Sequence, residues 1–102
     1  MSSQEAEYRV VYPEAIRAAL TTFIAELQQA GWDKALLATL LRTLDERLKK
    51  TPGTFGEPLY TLPGKNLKVT VGFVRPFAVQ FGIREEDRIV FVRKLILMTT
   101  QR

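Results

Sequence analysis

The chain contains neither cysteine nor histidine. Thiolate nucleophiles, disulfides, imidazole acid–base catalysis and the usual zinc, copper and haem ligands are therefore excluded. A carboxylate magnesium site has no motif either, so neither a metal nor a cofactor is expected. The chemistry that remains is cationic, and it is unevenly spread. Residues 1–46 hold four Lys and Arg against seven Asp and Glu, whereas residues 47–102 hold eleven against four. A basic half of this kind suits an anionic partner such as nucleic acid. Its candidate contacts are Lys65, Lys68, Arg75, Arg93 and Lys94. The acidic run Glu85-Glu86-Asp87 reads as a solvated hairpin turn rather than a carboxylate dyad.

These cations must be positioned by strands. Leu67 to Val71, Phe77 to Phe81 and Ile89 to Met98 are rich in valine and phenylalanine and separated by Gly72, Pro76 and the charged turn. In the first two, apolar residues recur at every second position, as in strands with one buried face. In the third, Ile89, Phe91, Leu95 and Leu97 share one parity and Val90, Val92, Ile96 and Met98 the other. Both of its faces are therefore apolar and both need cover. Val90, Val92, Ile96 and Met98 are the candidate partner-binding set.

The rest of the chain reads as that cover. Tyr8 to Tyr12 is a short strand ended by Pro13. From Glu14, residues Ile16, Leu20, Phe23, Ile24 and Leu27 fall at helical spacing, and Gly31 stops the helix. Asp33 is an N-cap for a second helix with a stripe of Leu36, Leu37, Leu40, Leu41, Leu44 and Leu48, ended by Pro52 and Gly53. The short turn between the two predicts an antiparallel helical hairpin, with Trp32 as a hydrophobic plug at its corner. Thr51 to Pro58 reads as a loop. Tyr60 to Leu62 starts the next strand, with Pro63 to Asn66 turning or bulging before Leu67. The expected order is β-α-α-β-β-β, an α+β fold with an antiparallel sheet and the hairpin on one face.

At 102 residues and 46% hydrophobic content, one domain over 1–102 is expected. The longest apolar runs are four residues, far short of the roughly 20 that span a bilayer. The polar, acidic Met1 to Glu7 is not a signal or transit peptide. No membrane partner and a cytosolic location are expected.

The element order and several short motifs resemble the RelE/ParE toxin superfamily of bacterial toxin-antitoxin modules. The matching positions are Gly56-Glu57-Pro58-Leu59, Leu62-Pro63-Gly64, Leu67-Lys68-Val69-Thr70-Val71, Gly72-Phe73-Val74-Arg75, Val79-Gln80-Phe81 and Ile89-Val90-Phe91-Val92. The resemblance spans nearly the whole chain. It implies an antitoxin partner and one of two targets: messenger RNA in the ribosome, cut without metal, or DNA gyrase. Metal-free RNA cleavage requires a base, a cation at the crowded phosphate and an acid for the departing 5′-oxygen. By resemblance Lys68 and Arg75 bind the phosphate, with Arg75 as the transition-state clamp. The family's C-terminal Gly-His/Lys-Arg stretch and following tyrosine are replaced by Leu95 to Arg102. Lys94, Arg93 or Tyr60 would then supply the acid–base group.

The alternative reading is a noncatalytic interaction module of the same fold that uses the second apolar face of its last strand. Its occupant is a partner helix, an added strand or a second copy in a homodimer.

Overall fold

The computed structural model describes residues 7–98. The order is strand β1 (Arg9–Val11), helices α1 (Glu14–Gln29), α2 (Lys34–Lys50) and α3 (Pro52–Phe55), then strands β2 (Gly56–Leu62), β3 (Leu67–Val74), β4 (Phe77–Arg84) and β5 (Ile89–Leu97). The α+β class and the helical hairpin agree with expectation, as does the Asp33 cap, whose carboxylate accepts the Leu36 N–H at 3.2 Å. The predicted loop over residues 51–58 instead holds α3 and the start of β2. Pro52 opens that short helix at a position where its missing N–H costs nothing. A 3₁₀ turn, Pro63–Lys65, then separates β2 from β3, so these are two strands and not one interrupted strand.

The five strands form one sheet in the order β1-β5-β4-β3-β2. Pairing is antiparallel from β2 through β5, but β1 runs parallel to β5, with Arg9 opposite Ile89 and Val11 opposite Phe91. The sheet is thus mixed, a correction to the expected antiparallel one. The helical hairpin carries the chain from β1 at one edge of the sheet to β2 at the other, and the three reversals from β2 to β5 then bring β5 alongside β1 in the same direction.

Both long helices pack on one face, α1 against β5 and α2 against β1 and β3. There Ile16, Leu27, Leu37, Leu44 and Leu48 meet Phe77, Val79, Phe81, Ile83, Val90, Val92 and Leu95. Trp32 packs against this core, half-buried, as expected of a corner plug. Gly72 lies opposite Val79 in this face. A Cβ on Gly72 would stand 2.7 Å from the Phe55 ring. The missing side chain is the slot that α3 fills: Phe55 enters it and stacks on Phe81 at 5.7 Å between centroids.

Among the described residues the second face carries no helix. Its strands cover one another with their own side chains, and Leu67 lies over Gly82, where a Cβ would approach the leucine to 2.6 Å. Leu67 and Val69 are both buried on this face.

Candidate nucleic-acid interface

Residues directly opposite across an antiparallel pair share a face, so the register assigns every candidate. Between Gln80 and Phe81 the pairing to β5 slips: Gln80 is opposite Lys94 and Phe81 opposite Val92, leaving Arg93 as the extra residue of a β-bulge. The bulge reverses the parity of β5. Val90 and Val92 before it, and Leu95 and Leu97 after it, all face the helices, while Phe91, Lys94 and Ile96 face outward.

The proposed partner-binding set therefore does not share a face. Val90 and Val92 are buried beneath the helices at 0% and 2% exposure. Ile96 is exposed on the open face beside Ala78, and Met98 follows the end of β5, its N–H donating to the Pro76 carbonyl at 2.7 Å. Alternation alone could not reveal this, because one inserted residue exchanges the faces of everything after it.

The proposed catalytic trio is not brought together. Lys68 sits at the start of β3 opposite Ile83, on the helix-side face at the margin of the core, in a depression with Thr61, Asn66, Glu85 and Glu86. Arg75 is exposed at the tip of the β3–β4 hairpin, before a cis Arg75–Pro76 bond. Seven residues of extended chain separate the two, about 23 Å at the usual rise per residue. Lys94 projects from the opposite face of the sheet. A single phosphate cannot touch Lys68, Arg75 and Lys94 in this arrangement. Tyr60, the other acid–base candidate, is exposed on β2 opposite Val69 and so belongs to the open face.

What does converge lies on that open face. A depression of about 540 Å³ is lined by Lys65 from the 3₁₀ turn, Arg84 and Gln80 from β4, and Phe91, Arg93 and Lys94 from β5, with Leu67 and Pro13 at its sides. The register accounts for the gathering: Gln80 is opposite Lys94, Gly82 opposite Phe91, and the bulge adds Arg93 to the rim. Among the described residues, Lys65, Arg93 and Lys94 make no salt bridge.

Arg84 differs. Its Nε donates to Asp87 at 3.0 and 3.1 Å and its Nη2 at 2.8 Å, while its guanidinium lies 5.1 Å over the Phe91 ring. This hydrogen-bonded pair raises the Arg84 pKa and holds the Asp87 carboxyl below the usual range. The two neighbouring acids are also engaged: Glu85 accepts from the Tyr8 hydroxyl at 2.6 Å and Glu86 from Asn66 Nδ2 at 3.0 Å. The Glu85-Glu86-Asp87 run is indeed a hairpin turn, as expected, and each carboxylate has a partner.

Of the residues lining this depression, Lys65, Arg93 and Lys94 are among the candidates named from charge, whereas Arg84, Phe91 and Gln80 are not. Arg84 had a readable signal. The inward alternation of Phe77, Val79 and Phe81 continues to Ile83, which sends Gln80 and Arg84 outward. Phe91 had none, because only the bulge shows that it shares a face with Lys94.

A second cleft, about 470 Å³, opens between β1, α1 and α2 over Val10, Ile16, Leu20, Leu41 and Leu44. At its side the Tyr12 hydroxyl donates to Asp45 at 2.5 Å, and Asp45 also pairs with Lys49 at 3.1 Å. Burial, then the Asp45 hydrogen bond, push the Tyr12 phenol well above its ordinary pKa. This network closes a structural contact between β1 and α2 and presents no free base. Among the described residues there is no group of His, Cys, Asp and Glu able to hold a metal and no helix long and apolar enough to cross a membrane. Compared with protein-family models, with curated proteins and with solved structures, the chain matches none.

Proposed function

We propose that this chain is a toxin-like protein of the RelE/ParE type that binds the phosphate backbone of RNA through its open sheet face and so acts on translation by occupancy rather than by cleavage. One observation carries the reading: among the described residues, Lys65, Arg93 and Lys94 are in no salt bridge and gather with Phe91 on the face that carries no helix. Cations free of partners release counterions when they meet phosphates. Binding without cleavage follows from the separation of Lys68, Arg75 and Lys94, which leaves no shared position for a base, an acid and a phosphate clamp. The element order and the meander motifs support the family likeness. A cognate antitoxin is the expected partner, and the open face is the surface it would have to mask.

The test is fluorescence anisotropy with labelled oligouridylate, together with induced expression in a bacterial host. The parent chain should bind with strong salt dependence and slow translation. The Lys65→Ala/Arg93→Ala/Lys94→Ala variant should lose both effects while melting at the same temperature. Intact RNA throughout is the expected result, and specific cleavage would overturn the occupancy mechanism. Growth arrest with DNA damage and no RNA binding would favour gyrase instead.

A second reading has its own observation. Phe73, Ala78 and Ile96 align in one row of the open face, and Phe73 and Ile96 are 54% and 43% exposed. Such a row favours a noncatalytic protein-interaction module, a homodimer included. Light scattering at increasing concentration tests it, since a chain that stays monomeric excludes self-association through this row.

A further inference from the structure

We infer that Arg84 is an additional phosphate subsite of the open face, held occupied by the chain's own Asp87 carboxylate; the inference rests on the proposed RNA-binding role of that face. Arg84 lines the same depression as Lys65, Arg93 and Lys94. Unlike them, it is engaged. Asp87 takes the Nε and Nη2 edge of the guanidinium with both carboxylate oxygens, at 2.8 to 3.1 Å. That two-pronged edge is the one an arginine offers to two phosphate oxygens, so the carboxylate stands where a phosphate would bind.

Two features make the occupancy displaceable rather than structural. The pair is exposed, with side chains 33% and 44% accessible, and exposed pairs contribute little to stability. The guanidinium also has a second support, the Phe91 ring beneath it at 5.1 Å, which holds the plane of the fork toward the depression whether or not Asp87 is bound. Asp87 lies three residues along the β4–β5 turn, a turn tied down by Asn66 on Glu86 and by Tyr8 on Glu85. The chain therefore carries a competitor at fixed, high local concentration. While Asp87 holds Arg84 an anion on this face meets three cations, and release of the guanidinium offers it a fourth.

The experiment measures how the affinity for oligouridylate falls with salt, in the parent and in Asp87→Asn, Glu86→Gln and Arg84→Gln/Asp87→Asn. Each phosphate engaged adds about one to the slope of log K against log salt. Asp87→Asn should bind more tightly with a slope steeper by about one, and adding Arg84→Gln should abolish the gain. Glu86→Gln makes the same change in net charge but leaves Arg84 held, so its slope should match the parent's. An unchanged slope in Asp87→Asn, or an equal one in Glu86→Gln, overturns the subsite while leaving the face intact. Absence of binding by the parent and by Asp87→Asn alike overturns the reading of the face itself.

Discussion

The two faces of this sheet are made from the same strands, yet they solve different problems. The helix-side face is completed from outside: Leu37, Leu44 and Leu48 descend on Phe77, Phe81, Val90 and Val92, and Phe55 fills the space left by Gly72. The open face is completed from within, with Leu67 folded over Gly82 and the Arg84 guanidinium over the Phe91 ring. The contrast is that one face is closed by helices while the other gathers arginine and lysine around its depression, where the proposed anion contacts lie. Stability should reside on one face and binding on the other.

That division can be broken experimentally, beginning with the helix-side face. Phe81 is fully buried and stacked on Phe55, so Phe81→Ala should cost about 3–5 kcal/mol, the usual range for deleting a core aromatic. Urea denaturation measures it, and a loss near zero would mean that the helices are not the principal cover. Next is the hydrogen bond that ties β1 to α2. Tyr12→Phe leaves the Asp45 carboxylate one donor short and should cost about 2 kcal/mol, typical of a hydrogen bond to a charged group.

The same phenol gives a pH signature. Its pKa is raised in the folded state, so the neutral form is favoured by folding. Its contribution is fully present below the unfolded tyrosine value, about 10, and declines as pH rises above it toward the folded value. Thermal melts at pH 8 and pH 11 should show this loss in the parent and less of it in Tyr12→Phe. A parent whose melting point does not move would contradict the buried contact.

A smaller effect of opposite sign comes from Thr70, which is 1% exposed on the helix-side face with no hydrogen-bond partner for its hydroxyl among the described residues. Thr70→Val replaces that unsatisfied group by a methyl of the same shape and should stabilise by about 1 kcal/mol. A destabilised variant would point to a buried water serving the hydroxyl. The smallest changes in stability belong to the open face. Arg93→Ala and Lys94→Ala should each stay within about 0.5 kcal/mol of the parent, as expected for exposed positions without partners. Either one behaving like Phe81→Ala would erase the division between the faces.

Much of the helix-side face was readable before folding. Ile16 and Leu27 on α1, and Leu37, Leu44 and Leu48 on α2, reach the core at the positions their helical spacing predicts. Phe77, Val79 and Phe81 do so by strand alternation. The open face was read less well, for three separate reasons. Lys68 and Arg75 are joined by a motif-level likeness but separated by the length of β3. The stretch from Gly56 lacks the alternation of a half-buried strand because β2 is an edge strand, exposed along most of its length. Val90 and Val92 share the helix-side face with Leu95 and Leu97 instead of opposing them, because the extra residue Arg93 is invisible to a count of every second position.

By itself, then, the sequence determined the α+β class, the N-terminal strand and helical hairpin, the Asp33 cap and the concentration of positive charge in the second half. These follow from local periodicity and local turn chemistry, which each segment carries in its own side chains. The tertiary structure alone decided that β1 runs parallel to β5, that Phe55 occupies the space at Gly72, and that Lys65, Arg84, Arg93 and Lys94 surround Phe91. Those features depend on register between strands distant in sequence, and one bulged residue is enough to turn a side chain from the core to the open face.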